Sequence, residues 1–223
     1  MKKIIDLTQR LEHGMRGVEF DTKYTVEHDG WNARTLHLYS HCGTHMDSAL
    51  HFNAGPQTID DIELADCVGR AWLVELDDIS PRTPIMVSHL DARANDIEPG
   101  DAVLLRTLWS RQAGDPQHYR DNFPPISSEL AEWLVARQVR MVGVESPSVA
   151  DVNNLDELTE VHNILLHGQV IIVEGLTNLD QLQGPSCLFG AFPLKIADGD
   201  GAPCRAFAVD GEPDKEWSAL LPN

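Results

Sequence analysis

Basic residues are scarce in this chain: 17 Lys and Arg stand against 35 Asp and Glu, a formal net charge of -18. Phosphate backbones and anionic membrane surfaces are bound by clustered Lys and Arg, so neither nucleic acid nor membrane is expected as a partner. Long apolar runs are missing too, and none approaches the ~20 residues of a membrane span. The N-terminus carries two lysines but only Ile4 and Ile5 before Asp6, too little for the apolar core of a secretory leader. Cysteine is sparse. Without a leader, Cys42, Cys67, Cys187 and Cys204 read as reduced thiols of a cytoplasmic protein. No repeat, low-complexity tract or long linker interrupts residues 1–223, so one catalytic domain with a full core is expected. A small-molecule substrate is the partner class that remains.

What is present is concentrated between residues 41 and 51. His41-Cys-Gly-Thr-His45-Met-Asp47-Ser-Ala-Leu-His51 puts three imidazoles and one carboxylate into eleven residues. Imidazole nitrogen and carboxylate oxygen are the usual ligands of Zn²⁺, Mn²⁺ and Fe²⁺, and three protein ligands with an open position make a catalytic site. A helix would set His41 and His45 on one face. Gly43-Thr44 between them, and the alternating approach Thr35 to Ser40, favour a strand running into a tight loop. On a strand, His41, Gly43, His45 and Asp47 point one way, with Gly43 leaving room for a metal and its water. Cys42 would then face away, a packed thiol rather than a nucleophile beside His41.

The rest of the chain alternates strands and helices through its middle. Ile4 to Leu7 reads as a strand, Thr8 to Gly30 as an irregular arm over the site entrance, and Trp31 to His41 as the strand delivering the motif. Thr58 to Asp61 looks like a capping box, and Ala71 to Leu76 like a buried strand. Thr83-Pro84 should start a helix running to about Arg93. After the strand Ala102 to Thr107, Trp109 to Asn122 reads as a polar loop available for substrate contact. An amphipathic helix follows with Leu130, Trp133 and Leu134 on one face, then the strand Met141 to Val144. A helix over Glu160 to His167 should close on Gly168 in the left-handed conformation. Val170 to Val173 is the most apolar strand and ends on Glu174, where α/β proteins place active-site groups. Cys187 to Ile196 and Cys204 to Val209 form a hairpin around Asp198-Gly-Asp-Gly201, a plain turn, since the remaining ligands of a calcium loop are absent. The fold class is α/β, a mixed sheet partly closing into a barrel with flanking helices.

The string His41-x-Gly43-Thr44-His45-x-Asp47-x-x-x-His51 resembles the signature of the metal-dependent cyclase family, which includes bacterial kynurenine formamidases and isatin hydrolases. His162-Asn-Ile-Leu-Leu-His-Gly, followed by Val170-Ile-Ile-Val-Glu174, is similar to the family's second site segment. Gly143-Val-Glu-Ser-Pro-Ser148 and Phe192-Pro-Leu-Lys195 resemble two weaker motifs. The resemblance implies a swivelling β/β/α-type fold, homo-oligomers of two or four chains, and metal ligands His41, His45 and Asp47. Asp47, His162 and Glu174 would hold a second ion where the site is binuclear, so one or two Zn or Mn ions per chain are implied; His162 and Glu174 could instead orient a single metal's ligands. His51 matches the catalytic histidine that moves protons, its alternative being a fourth ligand. Ala49 replaces the proline usual before that histidine, and Leu11 to Gly17 replaces the Trp-containing stretch of the formamidases.

The expected activity is that of a metal-dependent amidohydrolase: cleavage of a C–N amide bond, in an aryl formamide or a cyclic amide, by metal-activated water with His51 as general acid and base. The alternatives are a cyclase, lyase or lactone hydrolase on the same fold, or a non-catalytic ligand-binding relative.

Overall fold

A computed structural model of the chain describes residues 3–211. The elements in order are β1 Ile4–Asp6, β2 Val18–Tyr24, α1 Val26–Asp29, β3 Ala33–Leu38, β4 His45–Asp47, β5 Val68–Glu75, α2 Arg93–Asp96, β6 Ala102–Arg106, α3 Pro116–Asp121, α4 Ser128–Ala136, β7 Met141–Val144, α5 Leu155–His167, β8 Ile171–Glu174, β9 Ser186–Pro193 and β10 Gly201–Asp210. Strands β5 to β8 are parallel neighbours, and α4 and α5 form the crossovers of the β6–β7 and β7–β8 pairs. That is why β6 and β7 are apolar and buried along their whole length: a parallel strand under helices has no solvated face.

The expected partial closure is complete. The sheet runs β10-β4-β8-β7-β6-β5-β9, and β9 pairs back onto β10, so seven strands close a mixed barrel and β1 adds an eighth on the β10 edge. The period of two along each strand sorts the core into two layers. Val103 and Leu105 of β6 and Val142 and Val144 of β7 face outward to Leu130 and Leu134 of α4 and Val161 and Leu165 of α5. Ala102, Leu104, Met141 and Val173 face inward, with Met46, Phe189 and a set of alanines, and fill the barrel. A Cβ on Gly143 would lie 2.7 Å from both Leu104 and Leu176, so that interior leaves room for a bare backbone only.

Several expected elements differ. The arm over 8–30 contains β2, which pairs with β3 in a two-stranded ribbon outside the barrel. The ribbon buries little on either face, so it shows no alternation to read. The strand expected to deliver the motif is therefore ribbon, and residues 39–44 bend before β4 begins at His45. Thr83-Pro84 opens no helix: Ile85 bridges Ile126 in parallel, and a 3-10 turn at Val87–Leu90 ends at Asp91, whose φ is +47°. The polar loop holds α3, capped by Asp115 with Pro116 at its first position. Helix α5 starts earlier than expected, at the Asn154 cap, and Gly168 is not left-handed; Gln169 takes that conformation instead. The capping box over Thr58 to Asp61 closes a 3-10 turn. Among the described residues no helix is long and apolar enough to cross a membrane.

Candidate metal centre

Barrel register brings the polar residues together. β4 lies between β10 and β8, so His45 stands opposite Glu174 and Asp47 opposite Gly201. His162 arrives from the buried face of α5, and His41 from the bend before β4. The bend needs its glycines. Gly43 has φ +60°, and a Cβ on Gly175, just past β8, would sit 2.3 Å from the Gly43 carbonyl. Thr44 laces the two segments, its hydroxyl donating to Gly175 O at 2.6 Å. His41 is thus off the strand that carries His45 and Asp47, yet all three converge.

Asp47 divides its oxygens. Oδ1 lies 2.8 Å from His41 Nδ1 and 3.7 Å from His45 Nε2, while Oδ2 lies 3.7 Å from His162 Nε2. Glu174 does the same: Oε2 is 3.1 Å from His45 Nε2 and Oε1 is 3.6 Å from His162 Nε2. His45 and His162 each donate from Nδ1 to a backbone carbonyl, Gly43 O at 3.0 Å and Leu158 O at 2.7 Å. That fixes their tautomers and turns both Nε2 lone pairs inward, as at metal-bound histidines. His45 Nε2 and Asp47 Oδ2 are buried without an aligned hydrogen-bond partner, which is costly for polar atoms unless something else binds them. A divalent cation fits this donor set. Among the described residues three groups have the spacing to hold one: His41, His45 and Asp47; Asp47, His51 and His162; and His41, His51 and Asp200.

The electrostatics match. Burial would lower the His41 imidazole, but bonds to Asp47 and Asp200 raise it to about 9. Burial likewise opposes the charged forms of His45 and His162, and the Glu174 carboxylate outweighs it, so both are raised. Burial would raise Glu174, but the same two imidazoles hold it far below the usual carboxylate range. His51 goes the other way: burial lowers it. Its ring stacks on His41 at 3.8 Å between centroids, and Phe52 stacks on His162 at 4.2 Å.

A cavity of about 320 Å³ opens onto these groups, lined by His41, His45, His51, His162 and Glu174, with Asp47 behind them. Its volume suits a small molecule. The arm contributes Gln9, Met15 and Arg16 to the wall, and α3 contributes Pro116, Tyr119 and Arg120. Cys42 also lines it but is buried, and burial pushes its thiol up, which makes it a poor nucleophile. Glu145, in the loop after β7, turns away and caps the Thr107 to Ser110 turn instead. Asp200, from the turn read as plain, was missed by the sequence reasoning: its Oδ2 lies 2.9 Å from His41 Nε2 and 3.8 Å from His51 Nδ1. Only the β10–β4 pairing places it there.

The chain is similar to known proteins in sequence and in fold. A family model described as "Putative cyclase" matches residues 5–151. A kynurenine formamidase of Erythrobacter litoralis is 30% identical over 213 residues, spanning 92% of this chain and 93% of its own. Another, of Bacillus cytotoxicus, is 30% identical over 91% of this chain and 95% of its own. Among solved structures, isatin hydrolase A of Labrenzia aggregata superposes with a TM-score of 0.84 at 22% identity, covering 95% of this chain and 94% of that one, a likeness of fold. A structure described as a potential metal-dependent hydrolase with cyclase activity has a TM-score of 0.74 at 27% identity, covering 96% of this chain and all of its own.

Proposed function

This chain belongs to the "Putative cyclase" family, and from that premise we propose that it is a metal-dependent amidohydrolase cleaving a C–N amide bond, in an aryl formamide or a cyclic amide. The observation that carries the reading is the pair of buried atoms without an aligned hydrogen-bond partner, His45 Nε2 and Asp47 Oδ2, set among the His41, His162 and Glu174 donors. His41, His45 and Asp47 would hold one ion, zinc or manganese, and Asp47 with His162 and Glu174 would hold another where two are bound. A bound metal lowers the pKa of water toward about 7 and polarises the carbonyl under attack.

The chain's own residues supply the rest. His51 lines the cavity, and burial lowers its pKa and favours the neutral ring; it accepts the proton that water loses and returns it to the departing amine. The stacked Phe52 and His162 rings and the wall of Met15, Pro116, Pro147 and Val152 exclude solvent and seat an aromatic or cyclic body. The protein works as a homo-oligomer, a dimer or tetramer, in the cytoplasm on a small molecule.

Metal content of the purified protein comes first, followed by turnover of N-formylkynurenine and isatin with and without chelator in ¹⁸O-labelled water. Bound metal, with chelator-sensitive turnover placing ¹⁸O in the product, is the expected result. Turnover without solvent oxygen in the product would make the enzyme a lyase. A protein that takes up no zinc or manganese on reconstitution would overturn the reading.

A further inference from the structure

The His41 ring is bonded at both nitrogens, Nδ1 to Asp47 Oδ1 at 2.8 Å and Nε2 to Asp200 Oδ2 at 2.9 Å. A metal-binding imidazole must give up one of these bonds. Nδ1 faces the convergent donors of His45 and Asp47, whereas Nε2 faces a carboxylate that lines neither the cavity nor the inner group. The outer bond is the one to survive. We propose that Asp200 is a positioning residue of the metal centre: it fixes the tautomer and orientation of His41 through Nε2–H, and with that ring the position of His51 stacked on it.

The turn is built to keep that carboxylate still. Ser48 binds the Asp200 carbonyl twice, through its backbone N–H at 3.0 Å and its hydroxyl at 3.0 Å. Its hydroxyl also reaches Gly199 O at 3.1 Å, and Ile59 N–H donates to the same Gly199 carbonyl at 2.8 Å. Ser40 donates to Asp200 Oδ2 at 3.4 Å. Gly201 lets the turn close on the ring, since a Cβ there would come within 2.6 Å of His41 Cε1. His51 stacks on the His41 ring with centroids 3.8 Å apart, so the orientation that Asp200 gives His41 is passed to His51. Outer carboxylates of this kind raise the basicity of a ligating histidine and are worth about 10–100-fold in metal affinity.

The proposal rests on the metal-site reading above, and the test separates the two. Zinc affinity by chelator competition, zinc stoichiometry, melting of the metal-free protein, and kcat and KM at saturating zinc are measured for the wild type, Asp200→Asn and Asp200→Ala. The isosteric amide keeps every backbone bond of the turn, so a carboxylate that only shaped the turn would be replaced without effect. Expected is an unchanged number of ions, zinc bound about 10–100-fold more weakly, and kcat reduced at constant KM, with melting of Asp200→Asn near wild type. Wild-type affinity and kcat in both variants would overturn the proposal while leaving the metal site standing. Loss of one ion per chain would overturn it in favour of Asp200 as a ligand. A wild type that binds no zinc would overturn the underlying reading, and this proposal with it.

Discussion

The inner and outer halves of the site are built differently. His45, Asp47, His162 and Glu174 sit on strands and a helix of the barrel wall, each no more than 3% exposed. His41, His51 and Asp200 sit on turns at the rim, tied to one another by ring stacking and one carboxylate. The inner donors are held by sheet register and by the buried face of α5, and two of their atoms, His45 Nε2 and Asp47 Oδ2, lack an aligned hydrogen-bond partner within the chain. The rim groups pair with one another, and their geometry depends on turns. Barrel elements fix the inner donors in place, and turns carry the groups around them.

Removing Asp47 should break the inner half altogether. Each of its oxygens faces a different histidine, so Asp47→Ala dissolves both candidate ion positions. The expected result is a folded protein that retains no metal through gel filtration and turns over nothing above background. Retained metal with residual activity would move the ion out to the rim. At the rim, His51→Ala should cut kcat by about 10²–10⁴-fold, the span of a lost general acid–base, with metal content intact. Because His51 also stands in two of the groups spaced to hold a cation, loss of metal in that variant would make it a ligand and erase the distinction between the halves.

This division tracks what the sequence made legible. The inner donors could be named because two short segments carry them, and because Glu174 ends an apolar strand whose burial its composition announces. The mixed sheet was readable for the same reason, through the buried runs of β6, β7 and β8. Asp200 was not. It lies 159 residues from His41, its turn has the composition of any surface loop, and only the Gly201 to Asp47 register carries it inward. The ribbon escaped notice because a strand exposed on both faces leaves no period-two trace. Thr83-Pro84 carries a real helix-start signal, but pairing of Ile85 with Ile126 outweighs a local preference worth about 1 kcal/mol.

Once metal is stripped, both halves lose stability as pH rises. His41, raised from 6.5 to about 9, stabilises the fold below pH 6.5, and that contribution is lost as pH rises through about 9. The shift bounds the effect at about 3 kcal/mol, and the raised His45 and His162 act in the same direction. Metal affinity should run oppositely, because each imidazole must lose its proton to ligate. The chelated protein is therefore expected to melt lower at pH 9 than at pH 7, while the gap between chelated and metal-loaded protein widens. Melting of the chelated form that does not fall over this range would break the His41 pairing with Asp47 and Asp200.

The smallest effect is expected outside the barrel, in the ribbon of β2 and β3. Leu36 is 56% exposed, and β3 buries none of its side chains fully. Replacing such a residue removes no packing within the chain, so Leu36→Ser should change stability by less than about 0.5 kcal/mol and leave kcat unchanged. Phe189 is the contrast. It is fully buried in the barrel interior, and its truncation to Ala should cost about 3–5 kcal/mol. Both variants are read by denaturant unfolding at two protein concentrations. If Leu36→Ser destabilises by more than about 1 kcal/mol, and the loss depends on concentration, the ribbon is buried against another copy of the chain. The rim would then belong to an assembly, whereas the inner half would still stand on the barrel alone.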